Sequence, residues 1–177
     1  MKSISGKAHR VLSSLKRSVT FRGEVFIELY KTYVRPIIEA NSVVWNPSKK
    51  SDIKKIEGVQ RRALRCVKGF KDLDYKERLN KSGMVTLKER RQKYDLVQAY
   101  RSLENGEIKF EKVNERHNIN TRSAENEKLV KEKNSTNVRQ HYFSNRIVND
   151  WNDLPLEVRS AENVHSFKRQ LKMLYGF

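Results

Sequence analysis

The sequence predicts an all-α protein built from two helical clusters. Only three prolines and seven glycines interrupt its 177 residues, and apolar residues recur mainly at helical spacing. Hydrophobic residues make up 37% of the chain and charged residues 33%, so we expect real but modest cores. We place a helical bundle at residues 1–81 and a helical extension at residues 82–177.

The first cluster begins with a short amphipathic helix, whose apolar face is predicted at Ala8, Val11, Leu12, Leu15 and Val19. The most apolar part of the chain follows, with one broad stripe predicted at Phe26, Leu29, Tyr30, Tyr33, Val34, Ile37 and Ile38. Pro36 disfavours a straight continuation, so we expect a kink or a restart of the helix there. The core of this cluster is predicted to contain Phe26, Tyr30, Ile37, Trp45, Ile56, Leu64 and Val67.

A basic helix is predicted within the stretch of residues 53–71, "IKKIEGVQRRALRCVKGFK". Ser51 is a candidate N-cap, and Asp52 would complement the helix dipole in the first turn. Gly69 suits the C-terminal end. Apolar residues at helical spacing would turn inward, and the intervening lysines and arginines outward.

Two further helices carry capping signals. "LDYKERLNKSG" reads as a short helix ending at Gly83, and the next helix begins with a predicted capping box of Thr86 and Glu89. It should end at Gly106. Its buried face is predicted at Leu87, Tyr94, Leu96, Val97, Tyr100 and Leu103.

The helical period is lost at residues 107–137, which are polar and rich in Asn, Lys and Glu. We predict a long loop there, with one or two short strands near Lys128 to Val130. Helical periodicity resumes after this loop, and the next helix is predicted to face the core with Phe143, Ile147, Trp151 and Leu154. Pro155 then suits the start of a short turn of helix, and a C-terminal helix would bury Val164, Phe167, Leu171 and Leu174.

No catalytic or metal-binding constellation is visible, and we expect no cofactor and no metal. Asp72 and Asp74 precede a short helix, where acidic caps are common, so capping is favoured over Mg²⁺ binding. The four histidines lack paired spacing on one helix face. Cys66 is the single cysteine and is interpreted as a core or half-buried thiol rather than a nucleophile.

Positive charge is the most informative property of the chain. The net charge is +17, and a surface that basic attracts polyanions. Nucleic acid is the first candidate partner and an acidic membrane surface the second, and of the two we expect nucleic acid and no membrane. Residues 1–70 contain 16 basic residues against five acidic ones. On the predicted basic helix, Arg61, Arg65 and Lys68 fall on one face, with Lys54 one to two turns before. The predicted nucleic-acid-binding residues are Lys54, Arg61, Arg62, Arg65, Lys68, Arg90 and Arg91.

Several sequence segments, in their order and spacing, resemble the region that follows the catalytic palm in reverse transcriptases of jockey-like non-LTR retrotransposons. They cover almost the whole chain: "LYKTYVRPIIEANSVVWNP", "IEGVQRRALRCVKGF", "LDYKERL", "LKERR", "FSNRIVNDWNDLP" and "SFKRQL". The resemblance implies that residues from roughly 7 to 81 correspond to the polymerase thumb and the segment leading into it, and that the remainder is a C-terminal extension. It also implies an RNA template and a DNA primer as partners, and the polymerase palm if the chain is part of a longer one. The single cysteine and the absence of a visible secretory signal predict an intracellular location, which we expect to be nuclear.

One departure from that family bears on activity. The family's palm carries two adjacent aspartates that would hold the metals for nucleotide addition, and no adjacent Asp-Asp pair occurs in this sequence. We therefore expect the chain by itself not to be an enzyme. Two alternatives stay open: a stand-alone basic helical module that binds DNA or RNA, and a helical protein-interaction domain whose charge serves solubility.

Overall fold

The computed structural model describes residues 2–19, 23–108, 110–112, 128–133 and 135–176. Within these ranges the prediction of an all-α fold is confirmed. The chain divides into two compact units, Met1–Arg91 and Gln92–Phe177. Residues 113–127, the centre of the predicted polar loop, lie outside the described part of the chain.

The first unit contains α1 (Lys2–Ser18), α2 (Glu24–Leu29), a π-helical turn (Tyr30–Val34), α3 (Arg35–Glu39), α4 (Ser42–Trp45), α5 (Lys50–Arg65), α6 (Tyr75–Lys81) and the start of α7 (Leu87–Asn105). One hydrophobic core joins these elements. Five of the seven predicted core residues are buried in it: Phe26, Tyr30, Ile56, Leu64 and Val67. Ile37 and Trp45 pack against the same core but are only half-buried.

The π-helical turn corrects the predicted apolar stripe. Tyr33 was predicted to face the core, but it is 56% exposed. A π turn contains more residues than an α turn, so from Phe26 onward a row of buried residues is spaced by four, at Phe26, Tyr30, Val34 and Ile38, with Ile27 buried beside it. Pro36 follows near the start of α3. Because proline has no N–H to donate, the helix changes its hydrogen-bond register here instead of breaking.

Helix α5 begins one residue before the predicted cap. Lys49 is the N-cap, so Ser51 does not cap this helix, although Asp52 does lie in the first turn. The helix ends at Arg65. Gly69 adopts a left-handed conformation, with φ of +79°, in the turn that follows. Lys68 therefore lies in that turn and not on the helical face assigned to it.

The predicted helix caps of α6 and α7 are confirmed. The Asp74 side chain accepts a hydrogen bond from the Glu77 backbone N–H, and the Glu77 carboxylate accepts one from the Asp74 N–H at 2.7 Å, a reciprocal capping box. Thr86 and Glu89 form a second box: the Thr86 N–H donates to Glu89 at 2.8 Å, and the Glu89 N–H donates to the Thr86 hydroxyl at 3.2 Å. Both caps are local, which is why the sequence shows them.

The division between the units falls at 91/92 and not at the predicted 81/82. Met84 and Leu87 are 7% and 0% exposed and belong to the first core. The Leu87 N–H donates to the buried Glu57 carboxylate at 3.2 Å, and an Arg90 Nη donates to Glu39 at 3.1 Å. These contacts fasten the first turn of α7 to the first unit.

The second unit contains the rest of α7, then α8 (Asn137–Gln140), α9 (Phe143–Asn152), α10 (Leu156–Arg159) and α11 (Val164–Tyr175). The four inward positions predicted for α9 and the residues after it are buried as expected. Phe167 lies at the centre of this core, with ring centroids 4.5 Å from Tyr100 and 5.9 Å from Trp151. Two predictions of burial are wrong, because Tyr94 is 39% exposed and Leu174 is 47% exposed.

One or two short strands were predicted near Lys128 to Val130. Within the described residues the structure has instead a single antiparallel bridge, between Lys112 and Leu129. The Val130 N–H donates to the Glu111 carbonyl at 2.8 Å. Asn152 holds the other side of this segment: its amide accepts from the Leu129 N–H at 2.8 Å and donates to the Leu129 carbonyl at 2.9 Å. One asparagine thus satisfies backbone groups that a second strand would otherwise pair.

Candidate nucleic-acid interface

Helix α5 has a polar network on its inner face and a cationic outer face. The inner side chains are buried, and they are Ile56, Glu57, Val59, Gln60, Ala63 and Leu64. On the outer face Lys54, Arg61, Arg62 and Arg65 are exposed. The segment "IEGVQRRA" therefore contains both buried residues, which fix the rotation of the helix, and residues that face solvent.

Gln60 anchors the inner face by three hydrogen bonds. It is 0% exposed, and its Oε1 accepts from the Tyr30 hydroxyl at 3.0 Å. Its Nε2 lies 2.9 Å from the Val85 carbonyl and 3.2 Å from the Tyr75 hydroxyl, and donates to both. A buried amide without hydrogen-bond partners lowers the stability of the folded protein. The three bonds of Gln60 therefore favour the rotation of α5 about its own axis that keeps this side chain inside.

Glu57 reinforces the same rotation. Its carboxylate accepts from the Tyr75 hydroxyl and from the Leu87 N–H. Burial, together with the hydrogen bond to Glu57, raises the pKa of Tyr75, so the phenol remains a proton donor at neutral pH. With Glu57 and Gln60 both held inside, the arginines that follow in the sequence must turn outward.

The outer face of α5 forms one side of a basic groove. The groove has a volume of about 730 Å³ and is lined by Lys16, Gly58, Arg61, Arg62, Arg65, Cys66 and Lys71. None of these lining residues is acidic. We call this site the basic groove. A concave surface lined by cations concentrates positive potential and attracts polyanions.

Two of the arginines interact with side chains that do not line the groove. The Arg61 guanidinium lies over the Tyr75 ring, 4.6 Å from the ring centroid. This cation–π contact orients the guanidinium group. Arg62 lies near His9 of α1, and burial together with the Arg62 charge lowers the pKa of His9. The lowered pKa favours the neutral form of His9 beside the Arg62 charge. The Cys66 thiol donates to the Arg62 carbonyl at 3.2 Å and is half-buried, as predicted.

The structure gathers only part of the predicted site. Arg61, Arg62 and Arg65 line the basic groove, whereas Lys54 and Lys68 are exposed but are not among its lining residues. Arg90 forms a two-pronged ion pair with Glu39. Arg91 is 2% exposed, so its side chain is not accessible to a polyanion, and its assignment to the interface is corrected.

Sequence reasoning missed Lys16 and Lys71. Lys16 lies in the last turn of α1, and Lys71 follows α5 by six residues. Neither belongs to the face of α5, so helical periodicity alone does not find them. The excess of basic residues within residues 1–70 was the available signal for Lys16, and it does not include Lys71.

Charge is distributed unequally between the two units. The first unit, residues 1–91, has 23 basic and nine acidic residues, a net charge of +14. The second unit, residues 92–177, has 15 basic and 12 acidic residues, a net charge of +3. A polyanion would therefore be attracted mainly to the unit that contains the basic groove.

The described residues contain no group of three or more His, Cys, Asp or Glu side chains placed to hold a metal ion. None of their helices is both long and apolar enough to cross a membrane. Comparisons with protein-family models, with curated proteins and with solved structures find no match to this chain.

Proposed function

We propose that the first unit binds nucleic acid by holding its sugar–phosphate backbone in the basic groove. The observation that carries this proposal is a concave surface with five cationic side chains and no acidic one, on a unit of net charge +14. Arginine suits phosphate because its planar fork can donate two hydrogen bonds to one group. Contacts of this kind position a nucleic acid without reading its sequence.

Within this proposal the partner is a template–primer duplex, and the unit acts as the thumb of a retrotransposon reverse transcriptase. The support is the resemblance carried by "IEGVQRRA" and the phrases around it. The two faces of α5 fit that role: Glu57 and Gln60 fix the helix, while Arg61 and Arg62 face outward. The binding residues of the proposal are Lys16, Arg61, Arg62, Arg65 and Lys71.

The test is the salt dependence of binding by an Arg61→Ala/Arg65→Ala variant. Each lost phosphate contact should reduce the slope of log K against log salt by about 0.9 on a duplex. We expect the slope to become shallower by about 1.8, and affinity at 100 mM salt to fall roughly 10- to 100-fold, for all sequences alike. Fluorescence anisotropy of a labelled primer–template duplex between 50 and 200 mM salt measures both quantities.

The matched control is Arg101→Ala/Arg169→Ala, which removes two exposed arginines from the second unit. It lowers the net charge by the same amount but leaves the basic groove intact. Its slope should stay close to that of the wild type. Equal losses in both variants would mean that binding depends on overall charge, and no loss in either would mean that the groove is only a solvated surface.

The chain alone should not extend a primer, since no adjacent aspartates are present to hold the metals of nucleotide addition. The measurement is primer extension on an RNA template with Mg²⁺ or Mn²⁺. A known reverse transcriptase added to a parallel reaction verifies that the template can be copied. Incorporation that rises with the concentration of the purified chain would refute this prediction.

A further inference from the structure

Gly58 has no structural reason to be glycine in the isolated chain. It lies in the interior of α5, where glycine is the least favourable residue after proline. Its φ is not positive. A Cβ placed on it would meet nothing within 4 Å. Neither a special backbone conformation nor close packing within the chain therefore requires a glycine here.

The position of Gly58 supplies a reason. It is the one residue lining the basic groove that has no side chain, and Arg61, Arg62 and Arg65 follow it by three, four and seven residues. Residues at these spacings lie on the same face of a helix. The groove thus exposes bare helix backbone next to three guanidinium groups. Glycine is the residue that permits such a close approach of a ligand to the backbone.

We propose that a phosphate group of the bound nucleic acid rests directly on α5 at Gly58, with Arg61 and Arg62 as its cationic partners. This inference rests on the proposed function and adds a contact position to it. A side chain at residue 58 would occupy the space above the helix and hold the phosphate away from both arginines. The effect is steric, because such a substitution leaves every charge of the groove in place.

The experiment compares Gly58→Ala and Gly58→Leu with Gly6→Leu. Gly6 lies inside α1, a Cβ there also meets nothing within 4 Å, and it does not line the basic groove. All three variants should unfold at a temperature no lower than the wild type, since helix propensity rises in each. Gly58→Ala, which adds a single methyl group, keeps the test available if leucine perturbs the helix.

Binding of the labelled primer–template duplex is then measured over the same salt range. We expect Gly58→Leu to bind at least tenfold more weakly with a slope shallower by about 0.9, Gly58→Ala to lose less, and Gly6→Leu to match the wild type. Wild-type affinity in Gly58→Leu, or weaker binding at an unchanged slope, would overturn the phosphate contact. If Arg61→Ala/Arg65→Ala still lowers binding, the proposed function survives that failure. Salt-independent binding by the wild type would overturn both.

Discussion

Replacing Trp151 by alanine should lower the free energy of unfolding by about 3–5 kcal/mol. Trp151 is 1% exposed and stacks near Phe167 in the core of the second unit. Its removal leaves a cavity that the surrounding helices fill only in part, so both the transfer free energy and the packing are lost. Urea unfolding followed by the helical circular dichroism signal measures the change.

Tyr142→Ala is the control for this variant, because Tyr142 is an aromatic residue of the same unit that is 62% exposed. Its replacement should change the stability by no more than about 0.5 kcal/mol. If Trp151→Ala were as mild as the control, the aromatic core around Phe167 would not be packed as described.

Replacing Leu64 by alanine should cost about 2–5 kcal/mol in the first unit. Leu64 is 1% exposed and belongs to the core that α5 shares with its neighbours. Thermal and urea unfolding should both report the loss. Val44→Ala provides the comparison, since Val44 is 84% exposed and its truncation should be nearly neutral. A negligible shift for Leu64→Ala would contradict the rotation of α5 and, with it, the outward direction of its arginines.

Local signals in the sequence predicted the helices well. The predicted acidic cap at Asp74 and the predicted capping box of Thr86 and Glu89 depend on side chains close in sequence, and both are present in the structure. The π-helical turn at residues 30–34 was not predictable from a 3.6-residue period, because its register depends on the proline after it and on the core beneath it. Tyr33 was misplaced for that reason.

The candidate site was predicted in part for a similar reason. Periodicity is enough to turn Arg61 and Arg65 outward on one helix. The basic groove, however, also takes Lys16 from α1 and Lys71 from the chain after α5, and only tertiary packing brings these elements together. Arg91, in contrast, was wrongly assigned to the interface. Its positive charge and the basic residues next to it in the sequence suggested an exposed side chain, but the fold buries it.

The contacts between the first turn of α7 and the rest of the first unit determine where the chain can be cut to give a folded fragment. A fragment that ended at residue 81 would lack Met84 and Leu87, and also Arg90, which pairs with Glu39. It would also lose the Leu87 N–H that the buried Glu57 carboxylate accepts from. An expression fragment of the groove-bearing half should therefore extend at least through Arg91, even though this places the cut inside a helix.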